Sequence, residues 1–241
     1  LRLKDGYGLS VEVFDKAAAQ NVNLVVSVDC GVTAAEEAKI ARRYGIDLII
    51  TDHHQPPEVL PDALAIINPH QQDCPFADKN LAGVGVAFFL VIGLRKALRD
   101  KGYFDEQHPE PDLRHLLDLV ALGTIADVVP LVGVNRILTR VGLQVLNGGA
   151  RVGAKALQQV AGLKEIDAGS VGFKLGPRLN AAGRIEDAAM GVKLLLTSDR
   201  EEAAELAGIL DGFNRDRQNI EARTLRQAEK AVSELDEERR T

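Results

Sequence analysis

The sequence predicts an α/β protein: a partial, doubly wound parallel sheet, followed by a mainly helical region and a long connector helix. Three observations carry this reading. Two short, β-branched apolar runs at 24–28 and 46–51 flank one helical pattern. Strand signals stop near residue 70. No proline or turn cluster interrupts the chain from Ser198 to Arg240.

The elements follow in order. Residues 10–20 predict a helix ahead of the first strand. Leu24-Val25-Val26-Ser27-Val28 predicts a strand buried on both faces. Thr33-Ala34-Ala35-Glu36 has the capping-box pattern for the next helix, and Gly45 ends it. Residues 46–51 form the second strand, so this stretch is a β-α-β unit with parallel strands and a right-handed crossover. Residues 65–69 predict a third strand, stopped by Pro69. Helical patterns then occupy 81–98, 113–124, 134–146, 154–160 and 188–196. Ser198-Asp199-Arg200-Glu201 is a second capping box. A helix from there to Arg240 would extend about 60 Å. Leu206, Ile209, Leu210 and Phe213 give it one apolar stripe, which thins beyond Asn214. Residues 199–241 carry 8 basic and 12 acidic side chains, and a helix so polar usually bridges something. The expected organisation is one domain over 1–197, with its α/β part about 1–70 and its helical part about 80–197, and a connector over 198–241.

Composition narrows the function. The 241 residues are 46% hydrophobic, enough for a real core. A net charge of −6 argues against bulk electrostatic binding of DNA, though not against a nuclease with a local basic groove or bound metal. No apolar run approaches the roughly 18 residues of a membrane span, and the N-terminus lacks a signal-peptide pattern. Two cysteines are too few for a disulfide scaffold, which fits a reduced, cytoplasmic protein.

The candidate chemistry sits at the strand ends. Asp52-His53-His54 follows the second strand directly, and Asp29 follows the first. Ligands in open α/β sheets bind outside the carboxyl ends of strands, and neighbouring strands lie about 4.8 Å apart. Carboxylates with imidazoles and no thiolate cluster suit Mn²⁺ or Mg²⁺. Two such ions could activate water for phosphoryl displacement, with Asp29 bridging them. Asp29 taken alone reads more readily as a cap of the next helix or turn. Asp127 stands between apolar residues, where an unpaired carboxylate would need a cation or donors; a helix-terminal acid bonded to backbone is the alternative. Gly176 to Arg184 reads as a Gly/Pro-bounded loop in which Arg178, Asn180 and Arg184 could grip phosphate. Leu81-Ala82-Gly83-Val84-Gly85 allows a ligand or a backbone to come close. Cys30 and Cys74 read as inert, and His70 as a bystander near the site.

These segments, taken in order with Asn68-Pro69-His70 and Ala126-Asp127-Val128-Val129-Pro130, resemble the RecJ-like single-stranded-DNA exonucleases of the DHH phosphoesterase superfamily. The resemblance implies a two-metal site for Mn²⁺ or Mg²⁺ with Asp29, His53 and Asp127 as ligands. His54 and Asp52 would be ligand, supporting or catalytic groups, and Arg178, Asn180 and Arg184 would lie along the DNA path. It implies 5′→3′ hydrolysis of single-stranded DNA in repair and recombination, with single-strand-binding protein and a helicase as associates. It also implies that this chain is an internal piece. An Asp-rich DxDxDG motif, carrying two metal carboxylates, is expected upstream, and DHHA1 and OB domains downstream. Metal binding by this piece is then expected to be weak, and cleavage poor or absent. An uncovered sheet edge should make it less stable than a chain extended at its N-terminus. Competing readings are an oligonucleotide or cyclic-dinucleotide phosphodiesterase, a manganese pyrophosphatase, and a non-catalytic replication scaffold.

Overall fold

A computed structural model describes residues 8–185 and 188–233, without the side chains of Ala182, Arg184 and Ile185. The chain divides into two compact units: 8–150 with 166–172, and 151–165 with 173–233. Among the described residues no helix is long and apolar enough to cross a membrane.

The first unit opens with α1 (Val11–Ala19), β1 (Leu24–Val28), α2 (Ala35–Arg43), β2 (Asp47–Thr51) and β3 (Ala65–Ile67). The three strands are parallel in the order β1-β2-β3. The register pairs Val28 with Thr51, so the residues after each strand, Asp29 and Asp52, emerge side by side. Phe14, Ala17, Ala38, Ala41, Leu48 and Ile50 form the core between α1, α2 and the sheet. Helices α3 (Gly83–Asp100), α4 (Leu117–Ala126, after a 3₁₀ turn) and α5 (Gly133–Asn147) make a helical layer around Phe88, Leu113, Leu117 and Val120. Gly142 lets α5 approach α4; a Cβ there would lie 2.7 Å from that of Ala121. Asn135 is buried and ties two loops together. Its amide donates to the carbonyls of Asn80 and Pro130, and its oxygen faces the Ala82 N–H.

The second unit holds α6 (Val152–Val160), α8 (Gly176–Ile185), α9 (Ala189–Leu196) and α10 (Arg200–Ser233). A single turn, α7 (Ala168–Ser170), and a π turn (Val171–Leu175) precede α8. α10 buries Ala203, Leu206, Ala207, Leu210, Asp211 and Asn214, and is exposed from residue 218 to 233. The stripe expected from sequence therefore ends where it was expected to thin. Ile209 lies outside it, because the buried face runs through the small alanines. The described helix of 34 residues spans about 51 Å; the expected continuation to Arg240 lies outside the described residues.

Four expectations fail for physical reasons. β1 is not buried on both faces. Alternate side chains point to opposite sides, and Leu24, Val26 and Val28 are 47%, 42% and 51% exposed, with no cover among the described residues. Thr33 does not cap α2. Ala34 and Ala35 give their N–H groups to the carbonyls of Gly31 and Thr33, and the N-cap Ala34 makes no side-chain bond. The segment 176–185 is a helix rather than a loop. It runs on directly from the π turn at Val171–Leu175, and Pro177, which has no N–H to give, falls at that irregularity. The box before α10 is shifted by one residue: Asp199 accepts from the N–H groups of Glu201 (2.8 Å) and Glu202 (3.2 Å), and Glu202 reaches back to the Thr197 hydroxyl.

Candidate metal centre

Asp29 leaves β1 in a left-handed conformation, φ 64°, with its N–H bonded to the Thr51 carbonyl at 2.9 Å. A non-glycine residue held there is strained, and the turn aims its carboxylate across the strand ends. His53 Nε2 lies 3.0 Å from Asp29 Oδ1 and 3.3 Å from Asp127 Oδ2. Asp127 caps the C-terminus of α4, beside another left-handed residue, Val128 (φ 62°). His54 joins the cluster: one ligand atom from each of Asp29, His53 and His54 lies within 4.8 Å of the others.

Gly83 makes this possible. A Cβ there would lie 2.6 Å from Asp29 Cγ and closer still to Oδ1. The close approach permitted by the small residues at 81–85 is thus made by a carboxylate of the site.

Asp52 plays a different part. Its side chain is buried, and both oxygens are taken. Oδ1 accepts from the N–H groups of His53 (2.8 Å) and His54 (3.2 Å) and from His54 Nδ1 (2.7 Å). Oδ2 accepts from the Val32 N–H at 2.9 Å. Asp52 therefore acts through its neighbours, and its bond to Nδ1 leaves Nε2 as the open nitrogen of a neutral His54. Burial works against this carboxylate, but the Val32 N–H and the His54 side chain outweigh it and hold the acid below its ordinary value.

The electrostatics of the cluster are those of an imidazole crowded by two carboxylates. The Asp29 carboxylate beside His53, reinforced by Asp127, raises the imidazole's affinity for a proton against the effect of burial. Burial raises Asp127, and the like charge of Asp29 adds to it. Yet Asp29 Oδ1 and His53 Nε2 are both buried and make no hydrogen bond of proper angle with any described group. Two such atoms left facing each other at 3.0 Å fit a shared divalent ion. Burial also raises the Cys30 thiol, with Asp52 and Asp29 adding to the effect, which agrees with an inert cysteine.

Two supporting residues carried little signal in the sequence. Asn68 is buried; its amide donates to the His54 carbonyl (2.9 Å) and its oxygen accepts from the His70 N–H (2.8 Å). The Asn-Pro pair after a strand marks a turn, but not this link. Asn135, 55 residues from its partner Asn80, gave no local signal. In the second unit Arg178 is only 15% exposed and pairs with buried Asp211 at 2.9 Å. Asn180 is exposed, and the side chain of Arg184 lies outside the described residues.

A parallel sheet with carboxylates and imidazoles converging at its strand ends makes a candidate metal site. The chain belongs to the DHH family: the family's N-terminal domain matches residues 4–124. It is 52% identical to the single-stranded-DNA-specific exonuclease RecJ of Escherichia coli (strain K12) over 224 residues, 91% of this chain and 39% of the relative. It is 42% identical to RecJ of Bacillus subtilis (strain 168), over 97% of this chain and 28% of the relative. Among solved structures, exonuclease RecJ bound to manganese superposes with a TM-score of 0.82 at 36% identity, covering 94% of this chain and 55% of that one. RecJ from Thermus thermophilus in complex with Mn²⁺ gives 0.78 at 35% identity, over 90% and 31%. The chain thus spans well under half the length of the curated relatives it matches.

Proposed function

We propose that this chain is the metal-holding core of an exonuclease that hydrolyses single-stranded DNA from a 5′ end, in repair and recombination. The supporting observation is the convergence of Asp29, His53, His54 and Asp127, with Asp29 Oδ1 and His53 Nε2 buried and unbonded. Those four residues would hold Mn²⁺ or Mg²⁺. Bound there, divalent ions supply an activated water and a counter-charge for phosphodiester oxygens.

The chain's own residues do the rest. Asp52 fixes the tautomer and tilt of His54. Gly83 leaves room for Asp29, and Asn135 holds the loops that carry Gly83 and Asp127. Arg178, Asn180 and Arg184 are the proposed phosphate contacts of the second unit, suited by guanidinium geometry.

Manganese titration followed by electron paramagnetic resonance tests the metal assignment without activity. The chain should take up Mn²⁺, and His53→Ala should weaken uptake at least about tenfold. Shortening of a 3′-labelled single strand, with an equivalent duplex spared, tests substrate and polarity. A folded chain that takes up no Mn²⁺ even at saturating concentrations, where the weak binding expected of this piece should still register, would overturn the reading.

A further inference from the structure

A concave pocket of about 900 Å³ opens in the first unit, beside the metal-ligand loop and along β3. That is toward the upper end of the range for small-molecule sites. Its lining includes Phe76, Phe89, Ile67 and Leu81, with Gln55 and His70 also contributing. The two phenylalanine rings meet edge to face, centroids 5.4 Å apart. Gln55 Nε2 and His70 Nδ1 are 3.2 Å apart. Among the described residues no protein group takes up the Gln55 carbonyl or His70 Nε2.

The pocket shares a wall with the loop that carries the candidate metal ligands. Gln55 follows His54 directly, and Asn68 bonds to the backbone of both His54 and His70. The loop that presents the ligands and the loop that borders the pocket are therefore one hydrogen-bonded unit.

We propose that this pocket receives an unstacked nucleobase of the single strand whose phosphate lies at the metal centre. The inference rests on the nuclease reading above. Three features select a base. The aromatic and aliphatic lining suits a flat π surface, and base–aromatic stacking tolerates every base. An amide and an imidazole can meet the donors and acceptors of a base edge. Among the described residues no lysine or arginine lines the pocket, whereas Glu58 and Asp73 do, so a phosphate is disfavoured inside it. A base enters such a concavity only when swung out of its stack, which a duplex resists. The pocket would thus give the site a means of selecting single strands that is separate from phosphate binding.

The test uses this chain, Mn²⁺ and single strands with phosphorothioate links that resist cleavage. One abasic residue is moved stepwise along the strand from the 5′ end. The expected result is a 5- to 150-fold loss of affinity (roughly, for one stack) at one or two adjacent positions and little elsewhere. Phe89→Leu, which keeps an apolar side chain, should remove that position dependence while Mn²⁺ affinity stays unchanged. Equal affinity at every abasic position, with Mn²⁺ and DNA both bound, would overturn the base pocket alone and leave it to a polypeptide segment. Failure of the unmodified chain to bind Mn²⁺ would overturn the nuclease reading and this inference with it.

Discussion

Replacing Gly83 by alanine should disable the metal centre through one methyl group. Its Cβ would lie 2.6 Å from Asp29 Cγ and 2.8 Å from Asp29 Cβ. Carbon atoms rest at about 3.5–4.0 Å, so Asp29 must retreat by roughly 1 Å. Its backbone cannot follow easily, because φ is already 64° and the N–H is bonded to Thr51. The side chain yields instead, and Oδ1 moves off the point it shares with His53. A 1 Å misplacement costs about 10²-fold in rate, and Mn²⁺ affinity should fall at least about tenfold. Stability changes less. Overpacking costs about 1–3 kcal/mol, partly offset by up to about 1 kcal/mol from replacing a helical glycine. Manganese titration and thermal melting on the same samples separate the two effects. A Gly83→Ala protein that binds Mn²⁺ as tightly as the parent would refute the reasoning, since the clash is then absorbed elsewhere.

Other outcomes follow from the same structure. Asp52→Asn should lower Mn²⁺ affinity about 10- to 100-fold by freeing His54 to rotate or change tautomer. The Asp52 carboxyl is held below its ordinary value of 3.8, so its stabilisation is present above that pH and lost as pH falls through the depressed folded value. Urea melts of the parent and Asp52→Asn should therefore differ at neutral pH and converge in acid; a constant difference would contradict this. Asp211→Ala should destabilise by about 1–3 kcal/mol, because it removes the carboxylate partner of the half-buried Arg178 guanidinium, which among the described residues keeps only the Lys174 carbonyl. Asp211→Asn should cost less, and an unchanged melting temperature for Asp211→Ala would show the pair to be dispensable. Val26→Thr keeps strand propensity while removing apolar surface from the open face of β1. It should reduce concentration-dependent association in sedimentation, and a parent chain that sediments as a monomer at every concentration would exclude that role for the face.

The β-α-β unit was legible because its signals are local. Apolar runs of strand length, a glycine at a helix end and an acid-imidazole triplet directly after a strand all lie within a few residues of one another. Asp29 and His53 could be placed at one site from the rule that parallel strands present their carboxyl ends together. The helix at 176–185 is not legible locally because Gly and Pro punctuate most loops, whereas here Pro177 sits beside a π turn inside a continuous helical run. The capping boxes failed for a related reason: the pattern names a side chain able to cap, while nearby backbone carbonyls or a neighbouring aspartate took the role.

The sequence by itself determined the parallel strands, the helical remainder, the residue types of the metal centre and where the buried stripe of the last helix ends. Each follows from periodicity or from groups adjacent along the chain. Only the tertiary structure decided that Asp127 joins His53, that Gly83 yields its space to Asp29, that Asp52 is consumed in orienting others, and that Asn68 binds two loops into one wall. Those facts depend on atoms dozens of residues apart coming into direct contact. That approach is set by how helices and strands pack, and no stretch of sequence short enough to read for pattern contains it.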